Sequence, residues 1–491
     1  MFKEYDQYDA TGLAQLIAKG DVTASEVLDE TLRRIDEGEP KINALAFDLR
    51  ARAREQISAP LTGPFAGVPF LLKDADTHLT GVPFTNGAMA LKDHVAKSTA
   101  EAVNRYLAAG LIITGTTNAP ELALKATTET ALHGLTRNPW NLNHTPGGSS
   151  GGSGAAVAAR YLPMAAAGDG GGSIRIPAAY CGLFGLKPSR GRVPAGPEMG
   201  EKWDGCGVLL GVSRSVRDSA ALLDAIAGPA LGEPFDIAPP PRLYTKEIGA
   251  PVERLRIGFA TASPVGGRVE PEQIAAVTNA AKLLESLGHI VEQATPALDG
   301  KAVARCYVGM YFGHVAADVA KFCKTAGARE SDFHPDTRAL ALLGRSLSAE
   351  AFVTMRNEWN DFARAMGEFH QTYDIYLTPT TAMGPAKIGS LETPKIQQEL
   401  AKLLVTLRAG KLLLKSGIVD KLAFENLERT PFTQLANMTF CPAMSVPLHW
   451  GADGLPVGVQ FSAKFGAESL LLRLAAQLEA AQPWAQRKPV F

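Results

Sequence analysis

"GGSSGGSGAAVAARYLPMAAAGDGGGSIRIPAAYCGLFGLKP", residues 147–188, sets two glycine and serine clusters on either side of an apolar run. The run "GAAVAARYLPMAAA" (154–167) is small, apolar and helix-forming, whereas "IRIPAAYCGLFGLKP" (174–188) is apolar and β-branched. The loop "GDGGGS" therefore lies between buried elements and is not a free surface linker. A glycine run held in that way lets backbone N–H groups approach a ligand closely, as an oxyanion hole requires. Ser173 follows the run directly and is the candidate nucleophile. Its activating base is not evident, because the nine histidines leave residues 145–288 empty.

Other readings of these clusters fare unequally. Neither carries the lysine and hydroxyl of a GxxxxGK[ST] phosphate loop, and neither fits GxGxxG. "GSSGG" (148–152) does match GxSxG, the nucleophile elbow of α/β-hydrolases, with Ser150 at its centre. That alternative requires a later acid and histidine, and His289, His314, His334, His370 and His449 stand in no distinctive context.

Outward from the clusters, helical and strand periods alternate. "TASEVLDETLRRI" has Thr23 and Glu26 in capping-box spacing and one apolar face, so an amphipathic helix lies near the start. "FAGVPFLLKDAD" (65–76) reads as a short buried strand whose apolar run stops at Lys73 and Asp74. "STAEAVNRYLAAG" (98–110) shows a second capping box, Ser98 with Glu101, and runs into the strand-like "LIITG". The order strand, helix, strand returns at 255–260, 271–288 and 289–294, which predicts an α/β core whose parallel sheet continues through both regions. "YDIYLTPT" and "CPAMSVPL" read as further core strands.

One large domain over 1–491 is expected. It comprises a helical segment to residue 60, a core over 61–227 bearing the motifs, and a proline- and glycine-rich surface connection at 228–253. The rest of the core spans 254–491. Within it, 399–427 alternates leucine clusters with Lys402, Arg408, Lys411, Lys415 and Lys421, predicting a basic amphipathic helical pair packed on the body, serving as a lid or meeting another subunit.

Composition excludes several partner classes. Lys plus Arg at 49 against Asp plus Glu at 50 gives no pull toward nucleic acid or acidic lipid. Five scattered cysteines without CxxC spacing read as reduced thiols and not a disulfide framework. The polar start "MFKEYDQYDATG" lacks a secretory h-region and no run is long enough to span a bilayer, so a cytoplasmic protein, monomer or homodimer, is expected.

Together "GVPFLLKD", "GGSSGGSGAAVAA" and "GDGGGSIRIPAAYCGLFGLKP" resemble the amidase signature family of serine amidohydrolases. The likeness runs almost end to end, through "TRNPWN" (136–141), "YDIYLTPTTAMGPAKIG" (373–389) and "CPAMSVPLHWGADGLPVGVQF" (441–461). It implies a mixed, twisted sheet covered by helices on both faces, an α/β/α sandwich. It also implies that Ser173 is the nucleophile, Ser149 a bridging serine preceded by a cis peptide bond, and Lys73 the base, so no histidine is needed. A lysine serves as base only where burial depresses its pKa, and the end of an apolar strand offers that.

The same resemblance assigns the oxyanion hole to the backbone N–H groups of Gly170, Gly171, Gly172 and Ser173. It makes Asp169 and Arg175 a loop-fixing ion pair and Ser150 a supporting hydrogen-bonding group. It calls for no metal or organic cofactor. "TRNPWN", "SRGRVPAGP" and "EAAQPWAQRKP" look most like the branch hydrolysing the 6-aminohexanoate cyclic dimer, so small linear or cyclic amides are the expected substrates, with esters or carbamates as further ones. Tyr311 and His314, in "CYVGMYFGH" (306–314), are candidate substrate contacts. The amidase subunit of the glutamyl-tRNA amidotransferase shares the serine loops and is the nearest rival, although Ile176 stands where that subunit carries glutamine. A non-catalytic binding protein of the same fold is the second.

One departure stands out. Members of the family read "GTDTGGS" where this chain has "AGDGGGS", so Gly168 and Gly170 replace residues with side chains. The missing side chains predict extra room for a bulky or cyclic acyl group.

Overall fold

The computed structural model describes Phe2 and residues 4–491. The described residues build thirteen strands: β1 Leu45–Asp48, β2 Pro69–Lys73, β3 Ile112–Thr117, β4 Glu129–Thr130, β5 Gly134–Leu135, β6 Met164–Asp169, β7 Phe184–Lys187, β8 Val208–Ser213, β9 Arg256–Phe259, β10 Ile290–Gln293, β11 Ile375–Pro379, β12 Ala443–Trp450 and β13 Pro456–Ala463. Eight of them form one mixed sheet in the order β10-β9-β11-β13-β12-β7-β8-β6. β10, β9 and β11 run parallel, and each later neighbour is antiparallel. Helices Gly151–Ala158 and Arg175–Cys181, and helices Val216–Ile226, Pro271–Ser286 and Glu468–Ala481, pack on these strands, giving the mixed α/β architecture expected.

The sheet is not continuous with the first strand–helix–strand region. β2 and β3 pair in parallel in a separate three-stranded sheet, β1-β3-β2, which meets the large sheet where β2 packs beside its edge strand β6. Sequence periodicity reports local elements and carries no information about which strands share a ladder. The abutment matters for function, since it places Lys73, last residue of β2, beside the end of β6 at Asp169.

Around the glycine clusters the local readings hold at the outer ends, where Gly151–Ala158 is a helix and Phe184–Lys187 a strand, and are exchanged between them. The alanine run Met164–Asp169 is a strand, fully buried and paired with β8, and "RIPAAYC" is a helix with Pro177 in its first turn, where its missing N–H is harmless. Alanine favours helix by local propensity, but a small side chain also suits a strand covered on both faces, and packing decides. From residue 151 the order is helix Gly151–Ala158, the turn 159–163, strand β6, the glycine loop 170–172, helix Arg175–Cys181 and, after Gly182, strand β7.

Two further expectations are corrected. The Thr23–Glu26 capping box is present, but Ser98 caps nothing: the helix Glu101–Ala108 begins after Ala100, and Ser98 Oγ donates to Glu198 instead. Residues 399–427 lie in three helices, Lys395–Thr406, Gly410–Lys415 and Ile418–Leu427, because Arg408 and Gly417 adopt left-handed backbone between them. Helices Gly300–Thr325, Pro335–Ser346 and Ala349–Thr372 join them in a layer with its own apolar core, which includes Trp203, Tyr307 and Trp359. Among the described residues no helix is long and apolar enough to cross a membrane.

Candidate active site

Lys73 is anchored first by its own backbone. The Thr77 hydroxyl accepts from its N–H and donates to its carbonyl oxygen, both at 2.8 Å, closing a tight turn after β2. The side chain is 1% exposed and its Nζ reaches Ser149 Oγ at 2.8 Å. Burial pushes the ammonium down to about 7, against the opposing pull of the Asp169 carboxylate. Asp76 Oδ2 stands 3.5 Å from the same Nζ.

Ser149 follows a cis peptide bond with Gly148. Ser150 begins the helix Gly151–Ala158 and is fully buried, its Oγ lying 3.3 Å from both the carbonyl oxygen and the nitrogen of Gly168. No histidine hydrogen-bonds to it. His289 meets Gln477, His314 Asp204, His370 the Tyr373 carbonyl, His449 Glu272, and His334 caps its own helix. The nucleophile-elbow alternative at Ser150 therefore lacks both access and a base.

Ser173 is the open member of the group. It is half-buried, whereas Lys73 and Ser149 are each 1% exposed. No hydrogen bond joins Ser149 Oγ to Ser173 Oγ among the described residues, so the structure unites the first two members directly and leaves the third at the accessible rim. Catalytic hydrogen bonds are often long in unliganded sites and tighten with substrate.

The loop between β6 and Ser173 is held from beneath by a buried ion pair. Arg175 Nε and Nη2 donate to the two oxygens of Asp169, each at 2.9 Å, with neither side chain exposed. Arg175 also donates to the Thr433 carbonyl, Gln460 Oε1 and Asn437 Oδ1. Burial alone would raise the Asp169 pKa, but the Arg175 charge and hydrogen bonds outweigh it and hold the carboxyl well below its ordinary range.

Asp169 Oδ1 also accepts the Gly172 N–H at 2.7 Å. That donor is spent inside the loop, which narrows the expected oxyanion set to the N–H groups of Gly170, Gly171 and Ser173. Thr433 Oγ1 and Gln434 Nε2 fix the carbonyl of Gly171 at 2.6 and 3.1 Å, so the loop is braced on its outer side as well.

The predicted room beside the glycines is filled. A Cβ on Gly170 would lie 2.8 Å from the Trp203 ring, one on Gly171 would strike Tyr307, and one on Gly168 would lie 2.5 Å from Asp76 Oδ2. The places of the missing side chains at Gly168 and Gly170 are thus taken by Asp76 and Trp203, and the two glycines open no room of their own. Tyr311 and His314 do not touch the loop. Tyr311 packs edge-on against Trp203 at 5.3 Å, and His314 Nε2 meets Asp204 at 3.1 Å. From their helix, Tyr307 is the residue that reaches the glycines.

Sequence inspection missed Asp76, Lys202, Trp203, Tyr307, Thr433, Gln434, Asn437 and Gln460. Only "TQLAN" (433–437), a polar run before the apolar "CPAMSVPL", carries a local hint. Gln434 also lines a cavity of about 220 Å³ whose walls include Val265, Val303, Leu427 and Phe432.

A family model described as amidase matches residues 26–472. The chain is 36% identical over 490 residues to the 6-aminohexanoate-cyclic-dimer hydrolase of Pseudomonas sp. (strain NK87), covering 98% of this chain and 96% of that one. A solved structure of a 6-aminohexanoate cyclic dimer hydrolase complexed with substrate superposes with a TM-score of 0.89 at 34% identity, over 99% of each chain. A bacterial aryl acylamidase of the amidase signature family superposes with a TM-score of 0.85 at 25% identity, over 98% of this chain and 97% of that one.

Arg175→Met leaves a buried carboxylate unpaired and is expected to cost about 3–5 kcal/mol in denaturant unfolding. The deficit should shrink as pH falls from the ordinary carboxylate range of about 3.9 toward the depressed Asp169 pKa, because the stability contributed by the ion pair is complete only above the unfolded-state value and is lost on the way down. Gly170→Ala is expected to lower kcat at least about tenfold by displacing an oxyanion donor. Adding Trp203→Ala should restore part of the loss, and steady-state kinetics of the single and double variants checks this.

Proposed function

This chain belongs to the amidase family, and on that premise we propose that it hydrolyses small carboxylic amides through Ser173, Ser149 and Lys73. The observation that carries the reading is the 2.8 Å contact between a fully buried Lys73 Nζ and Ser149 Oγ, next to a braced glycine loop that ends in the half-buried Ser173. A lysine stripped of water can stand neutral near pH 7, and a neutral amine accepts a proton where an ammonium cannot.

In this mechanism Ser173 Oγ attacks the amide carbonyl carbon while its proton passes to Ser149, whose own proton moves to Lys73 Nζ. Negative charge collects on the carbonyl oxygen, and the N–H groups of Gly170, Gly171 and Ser173 receive it. When the carbonyl re-forms, the C–N bond breaks and the proton returns through Ser149 to the leaving amine. The acyl group remains as an ester on Ser173. Water then attacks by the same proton route, so that amide and water give acid and amine. Asp169 and Arg175 hold the loop without touching the reacting atoms.

Two relatives are named for the cyclic dimer of 6-aminohexanoate, and the predominantly apolar cavity beside Gln434 suits a methylene chain. The substrates proposed are accordingly small linear or cyclic aliphatic amides, with esters and carbamates as slower alternatives. Four of the five free cysteines are buried, which fits action in a reducing cytoplasm.

Ser173→Ala and Lys73→Ala are each expected to lose at least about three orders of magnitude in kcat/KM toward any amide the wild type cleaves, by analogy with loss of a serine-triad member. His334→Ala, His370→Ala and His449→Ala should turn over normally. Wild-type kcat/KM should rise with pH along a limb centred near 7, as Lys73 loses its proton; a flat profile between pH 5 and 9 would remove Lys73 as the base. Incubation of the purified chain with linear amides, cyclic amide oligomers, esters and carbamates, followed by product chromatography, tests the substrate class.

A further inference from the structure

A second lysine stands beside the proposed base. Lys202 hydrogen-bonds through Nζ to Asp76 Oδ1, and Asp76 Oδ2 is the oxygen 3.5 Å from Lys73 Nζ, so one carboxylate is shared between two lysines. The chain has shaped itself to this contact on three elements. Asp76 adopts a left-handed backbone within the turn that Thr77 closes after β2. Gly168, on β6, lacks the Cβ that would collide with Asp76 Oδ2. Lys202 is held by a bridge to Gly207 around the 203–205 turn, with its Nζ 5.4 Å from the Trp203 ring centre.

Charge counting gives the cluster a purpose. Asp76 alone, 3.5 Å from Lys73 in a buried site, would hold that lysine as an ammonium, since a neutral cluster would then need the proton on Lys73. With Lys202 present, the neutral combination is Asp76 charged, Lys202 charged and Lys73 uncharged. The proton belongs on Lys202, because its side chain is 24% exposed and in direct contact with the carboxylate, whereas that of Lys73 is 1% exposed. We propose that Lys202 and Asp76 are positioning residues for the reaction: their ion pair neutralises the carboxylate next to the base and leaves Lys73 free to accept the proton from Ser149.

The remaining charges around the two lysines are otherwise engaged. Asp74 is bound by Thr85, the Gly87 N–H and His133, and Asp169 by Arg175 and Asn437. Lys187, which acts on Asp169 from the far side, donates to the Pro188 carbonyl. Burial pushes Lys202 itself down to about 7 and the Lys73 charge adds to that, while Asp318 raises it and Lys321 lowers it, both from the helix Gly300–Thr325. The two lysines therefore compete for one proton, and direct contact with Asp76 favours Lys202. Asp76 is thus the carboxylate that the two lysines share.

This inference rests on Lys73 being the base, and its test separates the two ideas. The pH dependence of kcat/KM is measured on the intact enzyme with an amide that it cleaves. Lys202→Met is expected to move the acidic limb up by one pH unit or more, giving about a tenfold loss at pH 7 that is regained above pH 9. Lys202→Gln, which retains a hydrogen-bond donor without the charge, should shift it equally. Asp76→Asn should move the limb down, and Asp76→Asn with Lys202→Met should return it toward the wild-type position. Shifted limbs of those signs would support the pair, since a purely structural defect lowers the rate at every pH. A wild-type limb that vanishes in Lys73→Ala but stays in place in both Lys202 variants would overturn the pair and leave the base intact. Turnover surviving in Lys73→Ala would overturn both.

Discussion

Arg175 and Asp169 meet without contact with water, and six segments take their positions from that meeting. Strand β6 ends on the carboxylate, the glycine loop hangs from it through the Gly172 N–H, and the helix 175–181 begins on the guanidinium. Thr433 and Asn437 are drawn in from one side, Gln460 of β13 from another, and Asn437 carries the contact on to the Cys206 carbonyl. Two charges removed from water are costly unless every donor and acceptor is used, and here the bidentate geometry and the amide partners use them. The result is a loop rich in glycine yet fixed at almost every peptide.

That fixity alters what the glycines contribute. Their conformational freedom matters less than the closeness they allow. Trp203, Tyr307 and Thr433 each come against a different residue of the run 170–172, so the loop is packed like a core. In the mechanism proposed above, donors fixed in this way need no rearrangement when charge develops on the carbonyl oxygen.

Much of this was legible in the sequence, and the limits have a physical pattern. Lys73 could be placed at a strand end because an apolar run stopping at charge is a local signal, and the two serine loops were visible as glycine clusters between apolar flanks. Thr23 announced its capping box correctly, while identical spacing at Ser98 did not, because Glu198, a hundred residues away, takes the hydroxyl. The alanines of 164–167 favour helix by local propensity, and pairing with β8 in a fully buried position overrules it. The two-sheet arrangement and the partners Asp76, Lys202, Trp203 and Asn437 depend on contacts between distant segments, on which a single chain's local pattern is silent.

Gly168 and Gly170 also constrain how this protein can change over generations. A side chain at either position must displace the carboxylate of Asp76 or the ring of Trp203, so substitutions there are conditional on an earlier change at the partner. The order of mutations is thereby restricted: reduction of Trp203 can precede growth at Gly170, but growth cannot come first without loss of the loop. Lineages on either side of that step are therefore joined most easily through an intermediate in which the Trp203 ring has already been reduced.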